Sequence, residues 1–432
     1  MSLFILSFAI LTLVSTKFRY LTNPETRSSM TDYILLSLCV LIILAYIFDL
    51  SSKYSKIPGV VLLIALGMGM QVVAGLTSFK IPNLRPVLPF LGTLGLVMIV
   101  MEASLDIQLS KSKKTMIVKS ISAALLLLIV FTTSLTVFLA YFFNVPVRES
   151  LLNSIPLCIV SSAIAIPSAI GMDPFNKEFL VYESSFSDIF GIMLFDFILL
   201  GGSVGSGILA FARDGIFTIV IALISTGVLG YLLYKTTYHV NYVIILTFII
   251  LIYSLAKIIH LPALLLVLVF GMVLANNKLL ETNFIKKYID FRKFRNDISY
   301  FKKILCELTF LIRSFFFIMF GFYTSINDLF TFNNILISLL ICSAMILLRW
   351  IFFRLALRLP AVPMVFFTPR GLITILLFLS IPEELRIPFI SEQVVTLVIL
   401  ISIVFMAMGN VVRKKEMLES KMICTEKQDI AV

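Results

Sequence analysis

Within an otherwise apolar stretch, Glu183-Ser184-Ser185-Phe186-Ser187-Asp188 gathers two carboxylates and three hydroxyls into six residues. A carboxylate carried into a bilayer is costly, and by default it marks an ion or proton pathway. Asp188 falls within a turn of the midpoint of a helix predicted over 178–204. Ser184 lies one turn from it and Ser187 adjoins it, so several oxygens collect near one carboxylate. That chemistry suits a small monovalent cation or a proton, and Asp188 is the metal-ligand candidate. Glu183 stands about 140° round the helix from Asp188, at 100° per residue, and so faces a different partner. Asp196, two turns further on, either lines an outer access route or meets solvent at the interface.

Arg349 is the preferred partner for Glu183. About 12 Å of helix separates it from the nearer end of its predicted span, deep enough to need a counter-ion, so the two are expected to form a structural ion pair. Arg354 and Arg358 lie nearer that end and snorkel. Glu307 and Arg313 are six residues apart, on different faces of one helix, and are not expected to pair with each other. Two helix interruptions add further groups. In the segment from Ser161 to Ser168, Pro167 removes a backbone donor and frees an upstream carbonyl, while serine hydroxyls lie at the same depth. Freed oxygens of this kind ligate hard cations, and Ser162 and Ile164 join Asp188, Ser187 and Ser184 as the candidate ion- and proton-binding set. In Thr368-Pro369-Arg370-Gly371 the break carries a fixed positive charge, which costs about 2.5 kcal/mol or more at mid-membrane unless it is compensated.

The elements that must position these residues are membrane helices. The 432 residues are 60% hydrophobic and only 14% charged, about half the charge of an average soluble protein. Apolar runs of around twenty residues, the length a bilayer asks for, are read near 33–50, 58–76, 86–104, 116–143, 151–172, 178–204, 214–234, 240–256, 261–276, 305–325, 332–357, 361–381 and 393–412. The fold class is therefore an all-α polytopic membrane protein with about thirteen transmembrane helices. Soluble enzymes are excluded, as are disulfide scaffolds and outer-membrane barrels, whose strands would alternate. Residues 1–31 form an N-terminal extension: a short extra helix, a leader, or sequence upstream of the true start. Residues 32–412 form the transmembrane domain, and 413–432 a short tail. The net charge of +11 is read as topology rather than nucleic-acid binding, since Lys and Arg collect on cytoplasmic loops. The loop 277–304 carries eight of them. The chain is accordingly expected to be multi-pass in the cell membrane with its C-terminus in the cytoplasm.

An internal repeat locates the working centre. Ile57-Pro58-Gly59-Val60-Val61-Leu62-Leu63, followed by Gly67-Met68, is echoed 204 residues later by Leu261-Pro262-Ala263-Leu264-Leu265-Leu266-Val267 and Gly271-Met272. The same offset carries Pro167 onto Gly371, beside Pro369. The paired helices are seven crossings apart, and an odd separation means opposite orientation. Such an inverted repeat marks secondary transporters, whose site lies near the midplane where two interrupted helices meet; Pro167, Pro369, Arg370 and Gly371 mark that expected crossing. Other motif-shaped signals are weak. Gly201-Gly202-Ser203-Val204-Gly205 matches GxSxG but falls at a helix end, where no strand-to-helix elbow forms. His239 and His260 fall at opposite membrane edges and cannot share a metal.

Together these residues resemble the monovalent cation/proton antiporter superfamily, and within it the sodium/hydrogen exchanger-like branch, over about residues 33–412. Lys56-Ile57-Pro58-Gly59-Val60 through Gly67 resembles the family's second-helix entry, and Met101-Glu102-Ala103-Ser104-Leu105-Asp106 its F-E-x-G-L-x motif. The stretch from Glu183 to Asp188 resembles its E-S-x-x-N-D, and Pro369-Arg370-Gly371-Leu372 through Pro382 its R-G-L motif. The resemblance implies that Asp188 binds the cation and the proton, that Glu183 and Arg349 form a structural ion pair, and that two broken helices cross beside the site. It further implies a homodimer working in the lipid bilayer, with no cofactor beyond the transported monovalent cation, sodium or potassium, and the proton. Two departures stand out: the family's Asn before the key Asp is Ser187, and its Thr-Asp-Pro reads Ala165-Ile166-Pro167. Ser161-Ser162-Ala163-Ile164 leans toward the potassium-efflux branch. A potassium-efflux-type transporter, a channel-like pore and a transport-inactive sensor remain as alternatives to electroneutral exchange.

Overall fold

The computed structural model describes residues 36, 39–48, 50–51, 58–77, 86–106, 114–169, 172–199, 204–235, 241–259, 261–276, 291–357 and 364–409. Residues 1–31 and 413–432, the loop segment 277–290, Gly201 to Ser203, Arg358, His239 and His260 lie outside the described residues. Those described form helices joined by turns and short extended segments, with no strand among them. In chain order the helices are α1 (Cys39–Phe48), α2 (Gly59–Thr77), α3 (Val87–Asp106), α4 (Lys114–Phe143), α5 (Val147–Cys158), α6 (Ser162–Ser168), α7 (Pro174–Leu199), α8 (Val204–Lys235), α9 (Asn241–Ile258), α10 (Ala263–Ala275), α11 (Phe291–Tyr323), α12 (Ile326–Leu329), α13 (Phe332–Phe352), α14 (Leu372–Ser380) and α15 (Glu392–Gly409).

Among the described residues, seven candidate spans are long and apolar enough to cross a bilayer, one of them the α5–α6 pair taken together, and four shorter apolar helices accompany them. Only α7, with its carboxylates, and the broken segment 364–380 complete the predicted thirteen crossings. Helix is the form these runs must take, because inside a bilayer every backbone polar group has to be satisfied within its own segment. The exposed sides of α4, α8 and α13 are apolar, presenting Ile129, Phe138, Phe217, Ile224, Leu340 and Leu347.

The inverted repeat is visible in the packing. Pro58 and Pro262 each stand at the start of their helix, the Pro58 carbonyl accepting from Val61 N three residues on (3.0 Å) and that of Pro262 from Leu266 N four residues on (3.2 Å). Gly67 of α2 lies flush against the Ile318 carbonyl of α11, where any Cβ would collide with backbone. Its repeat mate Gly271, on α10, lies against Ser104 of α3. Each proline-led helix thus packs on the long helix that follows its counterpart in the other half, as small residues permit in helix pairs without a hydrophobic driving force between them. Asn153 of α5 fastens the α14–α15 connection. Its amide donates to Leu385 O at 2.8 Å and its carbonyl accepts from Ile387 N at 3.3 Å.

Candidate functional site

The first interruption lies between α5 and α6, at Ile159, Val160 and Ser161, six residues upstream of Pro167. Pro167 itself sits inside α6. Near a helix end a proline costs one hydrogen bond without forcing a break. The carbonyl it orphans is that of Ala163, four residues back, and Arg313 of α11 approaches this oxygen with Nη1 at 3.5 Å. The break is held open from outside. Val160 N donates to Ser187 Oγ (3.0 Å), Ser161 N to Pro369 O (2.9 Å) and Ser162 N to Asp188 Oδ2 (3.1 Å). Three successive backbone donors that a continuous helix would use internally are thus each taken by another element, as full accounting of buried N–H groups requires.

The second interruption is the extended run Phe367–Gly371 leading into α14, and it crosses the first at Ser161. Gly371 is there for room: a Cβ would stand 2.6 Å from Ser161 Oγ and 2.8 Å from Ile164 Cδ1. Gly371→Ala is therefore expected to wedge the crossing apart, at a cost of about 1–3 kcal/mol, and to slow transport. A melting curve superimposable on the wild type would contradict so tight a crossing.

Arg370 is fully buried, and its charge is met by carbonyls. Nε donates to Leu157 O (2.7 Å) in the last turn of α5, and Nη1 to Thr368 O (2.9 Å). A cation at a helix C-terminus is favoured by the dipole. Its backbone N–H donates to Ser402 Oγ on α15 at 3.0 Å. Arg370 thereby ties together α5, its own break and α15.

Asp188, on α7, is 2% exposed. Ser162 engages Oδ2 twice, through its backbone N–H and through its hydroxyl at 2.5 Å. Oδ1 has no hydrogen-bond partner, and neither does the buried Ser161 hydroxyl. A buried acceptor left open in this way is what a cation or a proton would fill. Ser187 holds the break through its Val160 contact. The Ser184 hydroxyl turns back to Leu180 O (2.7 Å) in its own helix, a local bond that serine commonly makes mid-helix. Ile164 is buried in α6, its backbone N–H donating to Ser161 O at 3.4 Å.

Glu183, on the other side of α7, meets Arg349 of α13 in a two-pronged ion pair, both side chains fully buried. Nη1 donates to Oε1 and Nη2 to Oε2 (2.8 Å), while Nε donates to Met364 O (3.1 Å). The guanidinium also lies 4.8 Å from the centre of the Phe353 ring. Such bidentate geometry is the strong form of the charge-assisted bond. The contact joins α7 to α13 and to the segment entering the second break. Sequence reasoning named Arg313 only as a residue that would not pair with Glu307 and missed its approach to Ala163 O, the carbonyl four residues before Pro167.

The family model described as "Sodium/hydrogen exchanger, transmembrane" matches residues 39–413. No curated protein matches the chain. Among solved structures, the sodium proton antiporter MjNhaP1 from Methanocaldococcus jannaschii at pH 8 is similar with a TM-score of 0.65 at 18% identity, over 86% of this chain and 95% of that one. An electron-microscopy map of the same antiporter gives the same score and identity over 87% and 95%. This likeness shows a shared fold, and the matched family is one of transporters rather than enzymes. With two broken helices crossing beside a buried aspartate, and a family match over most of its length, the chain belongs to the transmembrane sodium/hydrogen exchanger family.

Proposed function

We propose that the protein exchanges one monovalent cation, sodium or potassium, for one proton, with Asp188 carrying each in turn. The observation that carries this reading is the half-satisfied carboxylate: Oδ2 is anchored by Ser162 at the crossing, while Oδ1 is buried and open. Ser161 and Ser162 supply neighbouring hydroxyl oxygen, and the crossing supplies a joint that can rearrange. Ser187 and Ser184 support the loop and the helix around the site. Glu183 and Arg349 act as a structural tie, and Arg370 as a fixed counter-charge to the end of α5. The same reading places the protein in the cell membrane as a homodimer, with the C-terminus in the cytoplasm on the weight of the basic loops.

Acid-loaded proteoliposomes test the reading. Addition of sodium or potassium outside should alkalinise the lumen, and a lumen that stays acidic with both, and with lithium, would contradict exchange. The one-for-one ratio follows from counting: position 187 is a serine, so one carboxylate serves the site and each cycle moves no net charge. The membrane potential, which would do about 2.3 kcal/mol of work per uncompensated charge at 100 mV, should leave rate and final pH gradient unmoved when clamped at different values. A gradient that shifts with potential would show a second charge moving in each cycle.

A further inference from the structure

Where α7, α9 and α14 end and α3 and α10 begin, a cavity of about 520 Å³ opens into the bundle. Its lining includes Ile192, Met193 and Asp196 of α7, with Tyr253 and Lys257 of α9. Asp188, Ile192 and Asp196 are spaced by four residues, so they follow one face of α7, about 6 Å apart along its axis. The cavity thus stops at Ile192, one turn short of the buried Asp188. Among the described lining residues Asp196 and Lys257 alone carry formal charge, and Tyr253 is the further titratable group; α3, α10 and α14 contribute apolar side chains, Thr93 and Ser380. Asp196 is exposed to the cavity and lies within the field of Lys257. Neither residue has a part in the crossing or in the Asp188 contacts.

We propose that this cavity is a loading vestibule in which Asp196 is a first, weak binding carboxylate for the cation arriving from that face, and Lys257 is the counter-charge that keeps its hold weak. The inference rests on the exchange reading above. A carboxylate facing a low-dielectric cleft concentrates cations at its floor. Unopposed, it would also retain them a turn away from the site they must reach. Lys257 offsets that attraction, so the cation stays near Ile192 long enough to pass inward but is not trapped. The ligand chemistry is that of a monovalent, partly hydrated cation, since one carboxylate with one ammonium opposite lacks the charge to strip and hold a divalent ion.

The test uses right-side-out and inside-out vesicles carrying the full chain, from a host without its own cation/proton exchangers, titrated with sodium or potassium chloride on each face. Asp196→Asn should raise the half-saturating cation concentration by about tenfold on the cavity face, with a far smaller effect from the opposite face. Lys257→Gln should lower it on that same face. Equal shifts from both faces, no shift in either variant, or a rise with Lys257→Gln would overturn the vestibule. Loss of all exchange in Asp196→Asn at saturating cation would overturn it too, by making Asp196 part of the obligatory path. Wild-type vesicles without cation-driven proton movement would instead strike down the exchange reading itself.

Discussion

Asp188→Asn is expected to reduce cation-driven proton movement below detection while the protein stays folded. The structure explains why the two effects separate. Both donors to Asp188, the Ser162 N–H and hydroxyl, converge on Oδ2, and the amide oxygen of asparagine can accept them in the same place. The amide nitrogen then takes the position of Oδ1, which has no partner to lose. What disappears is the capacity to take up or release a proton and to offer a charge to a cation. A newly buried, unpaired amide costs about 1–3 kcal/mol, so the melting temperature falls modestly and the crossing survives. Exchange at the wild-type rate in a folded Asp188→Asn protein would remove Asp188 from the mechanism.

The second large effect falls on stability. Removing either member of the Glu183–Arg349 pair leaves a fully buried charge without its partner, at a cost of about 3–5 kcal/mol. Glu183→Gln strands the charge of a guanidinium that keeps Met364 O, the Phe353 ring and at most one amide oxygen in place of the carboxylate. Arg349→Gln strands a carboxylate. The double variant Glu183→Gln with Arg349→Gln buries no net charge, and should recover part of the melting temperature lost by either single change. Additive losses across that cycle would mean that the pair is not an energetic unit.

The crossings were legible because hydropathy is a property of composition over twenty residues, and bilayer thickness fixes the length of each run. The repeat was legible because prolines and glycines stand at one offset. The position of the first break was not. Ile159-Val160-Ser161 reads as ordinary apolar helix, and it is opened by acceptors on Ser187, Pro369 and Asp188 that come from distant segments. Proline advertises a break, yet here it lies one and a half turns downstream and leaves its mark as the Ala163 carbonyl that Arg313 approaches. Ser184 shows a related limit. Spacing puts it one turn from Asp188, but its hydroxyl bonds to Leu180 O instead, a choice of rotamer that residue spacing does not encode. The face opposite Asp188 was simpler, because helical geometry alone turns Glu183 away from it.

The central claim is that one carboxylate holds the cation and the proton in alternation, so the two must compete. The most direct measurement is the half-saturating sodium or potassium concentration for exchange in wild-type proteoliposomes, taken over a series of pH values with both sides buffered. Competition for a single Asp188 predicts that this concentration climbs by about tenfold for each unit of falling pH once the site is mostly protonated, while the maximal rate at saturating cation responds far less. A half-saturating concentration that stays constant across the series would mean that cation and proton bind at separate sites, and would contradict the account.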